Sequence, residues 1–346
     1  MQLYHLRYVP WLESQLIYHA QPRVGVEGIN ILAPSEPYVC IGYHQDLEQE
    51  IDVAYCQAQG IPIFRREVGG GAVYLDGNQV FYQIVLHKNH PLVQGGKGAF
   101  FRRMLQPVAE AYGDLGVPAS YRPVNDVVNK EGRKLSGTGA ATIGDYVVLV
   151  GNLIADFDYE TTARVLRVPD EKYRDKVFKS MRENLTTLKR ETGRVPTWDE
   201  MVPPLIHRFE RVFGSLEPQA LPQAVVDQVE ALKPIFQEDA WLYKKGRREP
   251  GRNVKIATGV NVIHRLHKAT GGLIRATVEV ADGQWRYVSL SGDFFCYPHD
   301  AIGALEAALE GTPCDQAREV IAGFYDQHEI ETPGVSVDDW VQALTG

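Results

Sequence analysis

Apolar and polar positions alternate from Gln2 to Tyr8, which predicts a strand, and Pro10 then opens a helix through Ala20. Gly28 to Ala33 and Tyr38 to Gly42 follow as short strands around Pro34-Ser35-Glu36-Pro37. Asp52 caps a predicted helix to Gln59 that Gly60 closes. Ile61 to Phe64 is a strand, and Gly71 to Tyr74 with Gln79 to Leu86 predict a hairpin through Asp76-Gly77. A helical period over Gly98 to Leu115 places Phe100, Phe101, Met104, Leu105, Val108 and Tyr112 on one side.

Strand patterns recur at Ala119 to Arg122, Asn125 to Val128, Lys134 to Ala141 and Tyr146 to Ala155, with turns at Glu131-Gly132 and Gly144-Asp145. Helices are expected over Thr161 to Leu166, Glu171 to Met181, Trp198 to Phe213 and Gln223 to Phe236, the last shortened by Pro234. Gly214 to Pro222 has a linker composition, and Trp241 to Gly251 is basic and loop-like. Three strands (Asn253 to His264, Gly272 to Val280, Trp285 to Ser291) and two helices (Asp300 to Leu309, Asp315 to Gln327) end the chain. The pattern predicts an α+β fold: a large mixed or antiparallel sheet with packed helices, and a small α+β unit behind it. The expected division is 1–220 for the main domain, 221–236 for a linking helix and 237–346 for the small domain.

Composition narrows the function classes. The 346 residues are 44% hydrophobic and 23% charged, as in an ordinary soluble protein. A net charge of −8 and a pI near 5.7 argue against a nucleic-acid binder. Neither a membrane span nor a signal peptide is expected. The cysteines at 40, 56, 296 and 314 form no Cys-x-x-Cys pair and no zinc spacing, which points to reduced thiols in the cytoplasm. From Lys172 to Arg194 the chain is locally basic, a solvated face by default and a docking patch as the alternative reading.

Two stretches carry candidate chemistry. Phe64 to Gln83 holds Arg65, Arg66 and the triplet Gly69-Gly70-Gly71 ahead of Ala72, Val73 and Tyr74. Bare glycine backbone admits close approach, and arginine forks suit phosphate or carboxylate, so an anion pocket and a plain glycine-rich hairpin are both open readings. Asn125-Asp126 and Lys134-Leu135-Ser136-Gly137 flank Glu131-Gly132, so a strand pair would bring an acid and a lysine together. This set could neutralise a phosphate while a carbonyl is attacked, or be a charged hairpin on a sheet edge. No Walker loop occurs.

Arg65-Arg66-x-x-Gly69-Gly70-Gly71-Ala72-Val73-Tyr74-x-Asp76-x-Asn78, then Asn125-Asp126, Arg133-Lys134-x-Ser136-Gly137 and Gly151-Asn152-Leu153, resemble the lipoate–protein ligase family. That family has the class II synthetase-like biotin/lipoate ligase fold. The blocks span roughly the first two hundred residues and are specific in combination. The stretch from about Phe236 to Leu344 is similar, through Gly292-Asp293-Phe294-Phe295, to the accessory domain of bipartite ligases.

The resemblance implies activation of lipoate with ATP-Mg to lipoyl-adenylate, releasing pyrophosphate, and then transfer to a lysine ε-amine of an acceptor protein. It assigns Lys134 as the catalytic residue bridging acyl carbonyl and α-phosphate. Arg66 would hold phosphate oxygens, and Gly69, Gly70 and Gly71 would line the adenylate and acyl tail. Asn125 would serve the adenosine end and Asp126 the Mg2+. Ala72, Val73, Tyr74, Asn78, Ser136, Gly137 and Gly151 complete the binding set. An apolar tunnel for the tail could draw on Val73, Tyr82 and Val85, which as strand residues are otherwise plain core. Implied acceptors are the lipoyl domain of a 2-oxoacid dehydrogenase, the glycine-cleavage H protein, or a lipoate-binding protein of sulfur oxidation. A monomer is expected. The accessory domain is expected to be needed for activation and to move before the acceptor docks, with a hinge at Gly214–Pro222 or Trp241–Gly251.

Two positions depart from the family. Leu75 and Val150 stand where many members carry histidine. One rival is an octanoyltransferase of the same fold, which needs a cysteine nucleophile; no cysteine lies between Cys56 and Cys296. A biotin ligase would need a Gly-Arg-Gly-Arg loop, which is absent. A non-catalytic lipoate-binding module would not need Arg66, Asp126 and Lys134 together.

Overall fold

The computed structural model describes residues 1–245 and 261–346. The chain divides into two compact units. The first comprises Met1–Cys40, Asp52–Phe64 and Val73–Glu238, and the second Ile41–Ile51, Arg65–Ala72 and Asp239–Gly346.

The first unit is built on a six-stranded mixed sheet in the order Thr138–Ile143, Tyr146–Ile154, Gln79–His87, Gly28–Pro34, Gln2–Val9, Glu217–Pro218. Gln79–His87 is buried almost end to end and pairs antiparallel with both neighbours, Ile31 facing Tyr82 and Gly151 facing Tyr82 from the other side. Its two buried amides are satisfied: Gln83 donates to the Ser14 carbonyl at 2.6 Å, and Gln79 accepts from Asn152 at 2.7 Å. Helices Trp11–Arg23 and Gln223–Gln237 pack together, Phe236 stacking on Phe64 at 5.4 Å and Lys233 reaching Glu13 at 3.0 Å. Helices Lys97–Asp114 and Trp198–Phe213 are joined by Arg208, whose fork reaches Asp114 at 2.6 and 2.7 Å and Glu110 at 3.0 Å. A smaller sheet, Ala119–Arg122, Asp126–Asn129 and Lys134–Ser136, carries the acid–lysine stretch. Among the described residues no helix is long and apolar enough to cross a membrane.

The second unit contains an antiparallel meander, Asn261–Ala269, Gly272–Ala281 and Gln284–Gly292, with helices Ala301–Leu309, Ala317–Gln327 and Val337–Thr345. Ile274, Ala276 and Val278 alternate inward and share a core with Trp285, Leu290, Ile321 and Trp340. Trp340 donates its indole N–H to the Tyr325 hydroxyl at 2.7 Å.

Several expectations are corrected. Val73–Leu75 and Gln79–His87 do not form a hairpin. Both edges of Gln79–His87 are taken, and Asp76 accepts the Asn78 N–H at 2.9 Å in a turn that sends Val73–Leu75 to pair with Tyr38–Cys40 instead. The run Lys134–Ala141 breaks at Gly137 into strands of two different sheets. Pro234 does not shorten its helix, because burial of Val229, Leu232 and Phe236 carries the last turn to Gln237. Gly214–Pro222 is not free linker: Leu216 is buried, and Glu217–Pro218 adds an edge strand beside Gln2–Leu3. The helices Leu188–Thr192 and Val337–Thr345 were not expected; the second has a Ser336–Asp339 capping box as its sequence signal. Residues 246–260, with most of the Trp241–Gly251 loop and the first two thirds of the Asn253–His264 strand, lie outside the described residues.

Candidate active site

The candidate residues fall into two groups, one in each unit. In the first unit, Asp126–Asn129 pairs with Lys134–Ser136, Val127 facing Ser136 and Val128 facing Lys134. The connecting turn is set by Asn129, whose side-chain oxygen accepts from Glu131 N at 3.1 Å and Arg133 N at 2.8 Å. This pairing puts Lys134 Nζ 2.7 Å from Asp126 Oδ1, while Arg122 Nη2 reaches Asp126 Oδ2 at 2.8 Å. Burial pushes the Asp126 carboxyl up, but the Lys134 and Arg122 charges and hydrogen bonds outweigh it and hold the group below the ordinary carboxylate range. With its folded pKa depressed, the pair is whole above the unfolded value of about 3.9 and is lost only as pH falls through the lower folded value.

Around this pair the backbone is fixed by buried and half-buried side chains. Asn125 Nδ2 donates to the Thr138 carbonyl at 2.5 Å, and the Thr138 hydroxyl donates back to the Asn125 carbonyl. Gly137 N donates to Asn152 Oδ1 at 2.9 Å, and Ser136 Oγ lies 3.1 Å from the Tyr82 hydroxyl. Gly151 is needed for packing: a Cβ there would come within 2.3 Å of the Tyr82 hydroxyl and 2.7 Å of Thr138 Cγ2. Gly151→Ala is therefore expected to cost about 1–3 kcal/mol by forced repacking. An unchanged thermal midpoint would show that the strands yield freely.

The remaining first-unit residues are scattered by the fold. Tyr74 and Leu75 are buried beside Tyr38–Cys40, Val73 is 39% exposed, and Asn78 is absorbed in the Asp76 turn. Tyr82 and Val85 are fully buried. Val150 pairs with Gln83 in the six-stranded sheet.

In the second unit, Arg66 is buried and curls its own loop, donating Nη2 to the carbonyls of Gly69 at 2.8 Å and Gly71 at 2.9 Å. Gly70 has φ +91, a conformation that side chains rarely adopt. The loop packs on Phe294 and Phe295: Gly70 N points at the Phe294 carbonyl at 3.4 Å, and a Cβ on Gly69 would lie 2.9 Å from that oxygen. Gly71 lies beside Asp293. Ala72 ends this segment of the unit.

The neighbour Arg65, to which sequence reasoning gave no separate role, is fully buried and donates to the carbonyls of Tyr43 at 2.9 Å, Gln45 at 2.6 Å and, twice, Leu242 at 2.8 and 3.0 Å. Its backbone carbonyl accepts the Trp241 indole N–H at 2.8 Å. A double arginine before the glycines looks alike at both positions, so the sequence held no signal that one is structural. Arg65→Met should cost on the order of 3 kcal/mol or more, because buried carbonyls lose a charged donor. A fall in the urea midpoint at constant slope would register it, and an unmoved midpoint would remove Arg65 from this role. Arg122 was missed, with an Arg-x-x-x-Asp spacing as its signal, and Asn152 stood in the Gly151-Asn152-Leu153 block without a role.

Residues 12–210 match the model of the lipoyl protein ligase A/B catalytic domain. The chain is 33% identical over 159 residues to lipoate-protein ligase A subunit 1 of Thermoplasma acidophilum, a match covering 43% of this chain and 59% of that relative. It is 26% identical over 284 residues to lipoate-protein ligase LplJ of Bacillus subtilis, covering 82% of this chain and 80% of the relative. Octanoyltransferase LipM of Moorella thermoacetica is 24% identical over 236 residues, with 63% and 86% covered. Among solved structures, the bi-partite lipoate protein ligase of T. acidophilum, studied with its E2 lipoyl domain, superposes with a TM-score of 0.64 at 24% identity, covering 72% of this chain and 98% of that one. A lipoate-protein ligase A bound with ATP gives 0.59 at 22% identity, with 70% and 98% covered. These likenesses show the fold expected from the sequence. With more than half of its length inside the family model, the chain belongs to the lipoyl protein ligase A/B catalytic-domain family.

Proposed function

We propose that the protein is an ATP-dependent lipoate–protein ligase. The observation that carries this reading is the Lys134–Asp126 pair, a lysine ammonium held by an ionised carboxylate at the end of a strand in a unit that supplies no reactive thiol. Cys40 and Cys56 are fully buried, and burial pushes the Cys56 thiol up to about 11. A transferase nucleophile needs the opposite, an accessible thiolate.

In the first step the lipoate carboxylate attacks the α-phosphorus of ATP and pyrophosphate leaves. Lys134 bridges acyl and phosphate oxygens and offsets the charge that gathers there, while Arg66 takes phosphate oxygens. In the second step the acceptor lysine amine attacks the acyl carbonyl, an amide forms, and AMP departs. Asp126 is the carboxylate that would hold Mg2+. Its two oxygens are held by Lys134 and Arg122, and an ion of this kind is usually bound by one or two carboxylates together with substrate phosphates. Gly69–Gly71 would close backbone over the adenylate, with Asn125 at its adenosine end.

ATP and lipoyl-domain support comes from the relatives described as ATP-bound and as studied with an E2 lipoyl domain. The acceptor is a lipoyl domain of this kind, a glycine-cleavage H protein or a lipoate-binding protein of sulfur oxidation. The reading extends to a monomer in the cytoplasm, where cysteine thiols stay reduced. Lipoate-dependent ATP–pyrophosphate exchange tests the reading, and mass analysis of each candidate acceptor completes it. The octanoyltransferase reading draws on the LipM match. Acyl transfer from a thioester donor without ATP, together with no exchange, would establish it instead.

A further inference from the structure

Helix Glu171–Asn184 buries none of its residues. Arg174, Val177, Phe178 and Met181 are half-buried along one side, Phe178 lying edge-on to Tyr159 at 6.5 Å, and the rest of the helix is exposed. Arg174 Nη1 donates to the Ala163 carbonyl at 2.7 Å, and Arg190 donates to the carbonyls of Arg182 and, at 3.2 Å, Leu185. Lys172, Lys176 and Lys179 fall at i, i+4 and i+7, one stripe along its surface. No ion pair to any of the three occurs among the described residues. Tyr173 beside them is 48% exposed, with the Lys176 ammonium 4.9 Å over its ring. The three lysines lie on the opposite, exposed side, and a helix held along one side only is marginal in water unless something else covers it.

Its place and charge say what covers it. The helix runs directly into Leu185 and Thr186, where Leu185 bridges to Lys134 and Thr186 N donates to the Lys134 carbonyl at 2.9 Å. At 1.5 Å per residue its fourteen residues span about 21 Å, so a protein seated along it can reach the candidate catalytic strand. From Glu171 to Arg194 there are eight cationic side chains against four acidic ones, in a chain whose net charge is −8. An acidic partner is repelled by most of the molecule and attracted here, which fixes its approach.

We propose that the Lys172–Lys176–Lys179 stripe, with Tyr173, is the docking face for the acceptor protein, and that this acceptor presents acidic side chains around the lysine it offers. The proposal rests on the ligase reading. The test uses the full chain and the variant Lys172→Glu/Lys176→Glu/Lys179→Glu, with the apo lipoyl domain of a 2-oxoacid dehydrogenase as the acceptor probe. The variant should keep the pyrophosphate exchange rate measured without acceptor, raise KM for the acceptor at least tenfold with little change in kcat, and lose the decline of kcat/KM with added salt shown by the unaltered chain. The charge-preserving variant Lys172→Arg/Lys176→Arg/Lys179→Arg should retain both KM and salt response. An unchanged KM and salt response in the glutamate variant overturns the docking face. Loss of exchange in that variant also overturns it, by assigning the lysines to the adenylate. Absence of exchange in the unaltered chain strikes the ligase reading itself, and the docking face falls with it.

Discussion

Lys134→Ala should lower lipoate-dependent pyrophosphate exchange by about 10²–10³-fold, the loss typical when one preorganised charge or donor is removed from a developing oxyanion. The geometry gives the reason. Lys134 sits at the start of a strand whose partner carries Asp126, and the 2.7 Å contact fixes the ammonium rather than leaving a flexible cation. The stability cost should be small, within about 1 kcal/mol, because the lysine side chain is 35% exposed and such pairs are weakened by solvent. Lys134→Arg should recover little, since a planar fork does not replace a compact ammonium between two oxygens. Circular dichroism and the thermal midpoint establish that the fold survives. A near-normal exchange rate in a folded Lys134→Ala chain would remove this residue from the mechanism.

Ending the chain near residue 238 should abolish activation from free lipoate and ATP while sparing transfer from pre-formed lipoyl-adenylate. The glycine loop supplies the reason. Gly69–Gly71 belongs with the second unit and is packed on Phe294 and Phe295, and Arg65 beside it is pinned by the Leu242 carbonyl. Removing residues 239–346 takes those partners away, so the loop that would close over the nucleotide loses its frame. On the proposed mechanism, transfer would need the Lys134 strand and its surroundings, all within the first unit. Loss of both steps from a truncated chain that keeps its helical signal would refute the division of labour. Supplying the missing segment in trans should restore activation if the loop can be repacked.

Both predictions start from residues that the sequence made visible. Glycines, arginines, an acid and a lysine stand in blocks whose spacing is informative because each block is local. The strand pair around Glu131-Gly132 was legible for the same reason: a turn residue and two short apolar alternations specify an antiparallel ladder within a dozen residues. The helix Trp198–Phe213 was legible to its last residue, with a capping box at one end and glycine at the other.

Long-range pairing was not legible. Val73–Leu75 and Gln79–His87 look like a hairpin because Asp-Gly turns usually make one. Only the sheet order shows that both edges of the second strand are occupied, by residues some fifty positions before it and sixty after. The different partners of Arg65 and Arg66 were hidden as well. Both donate to backbone carbonyls, Arg66 to those of its own loop and Arg65 to those of Tyr43, Gln45 and Leu242, distant in sequence. Thus the sequence by itself determined the family blocks, the identity of the lysine and acid, and the α+β class, since these depend on local chemistry and periodicity. Only the tertiary structure decided that the glycine loop sits on Phe294 and Phe295, that Gly151 makes room for Tyr82, and that Arg65 is a structural pin, because each is fixed by atoms the chain brings together from far apart.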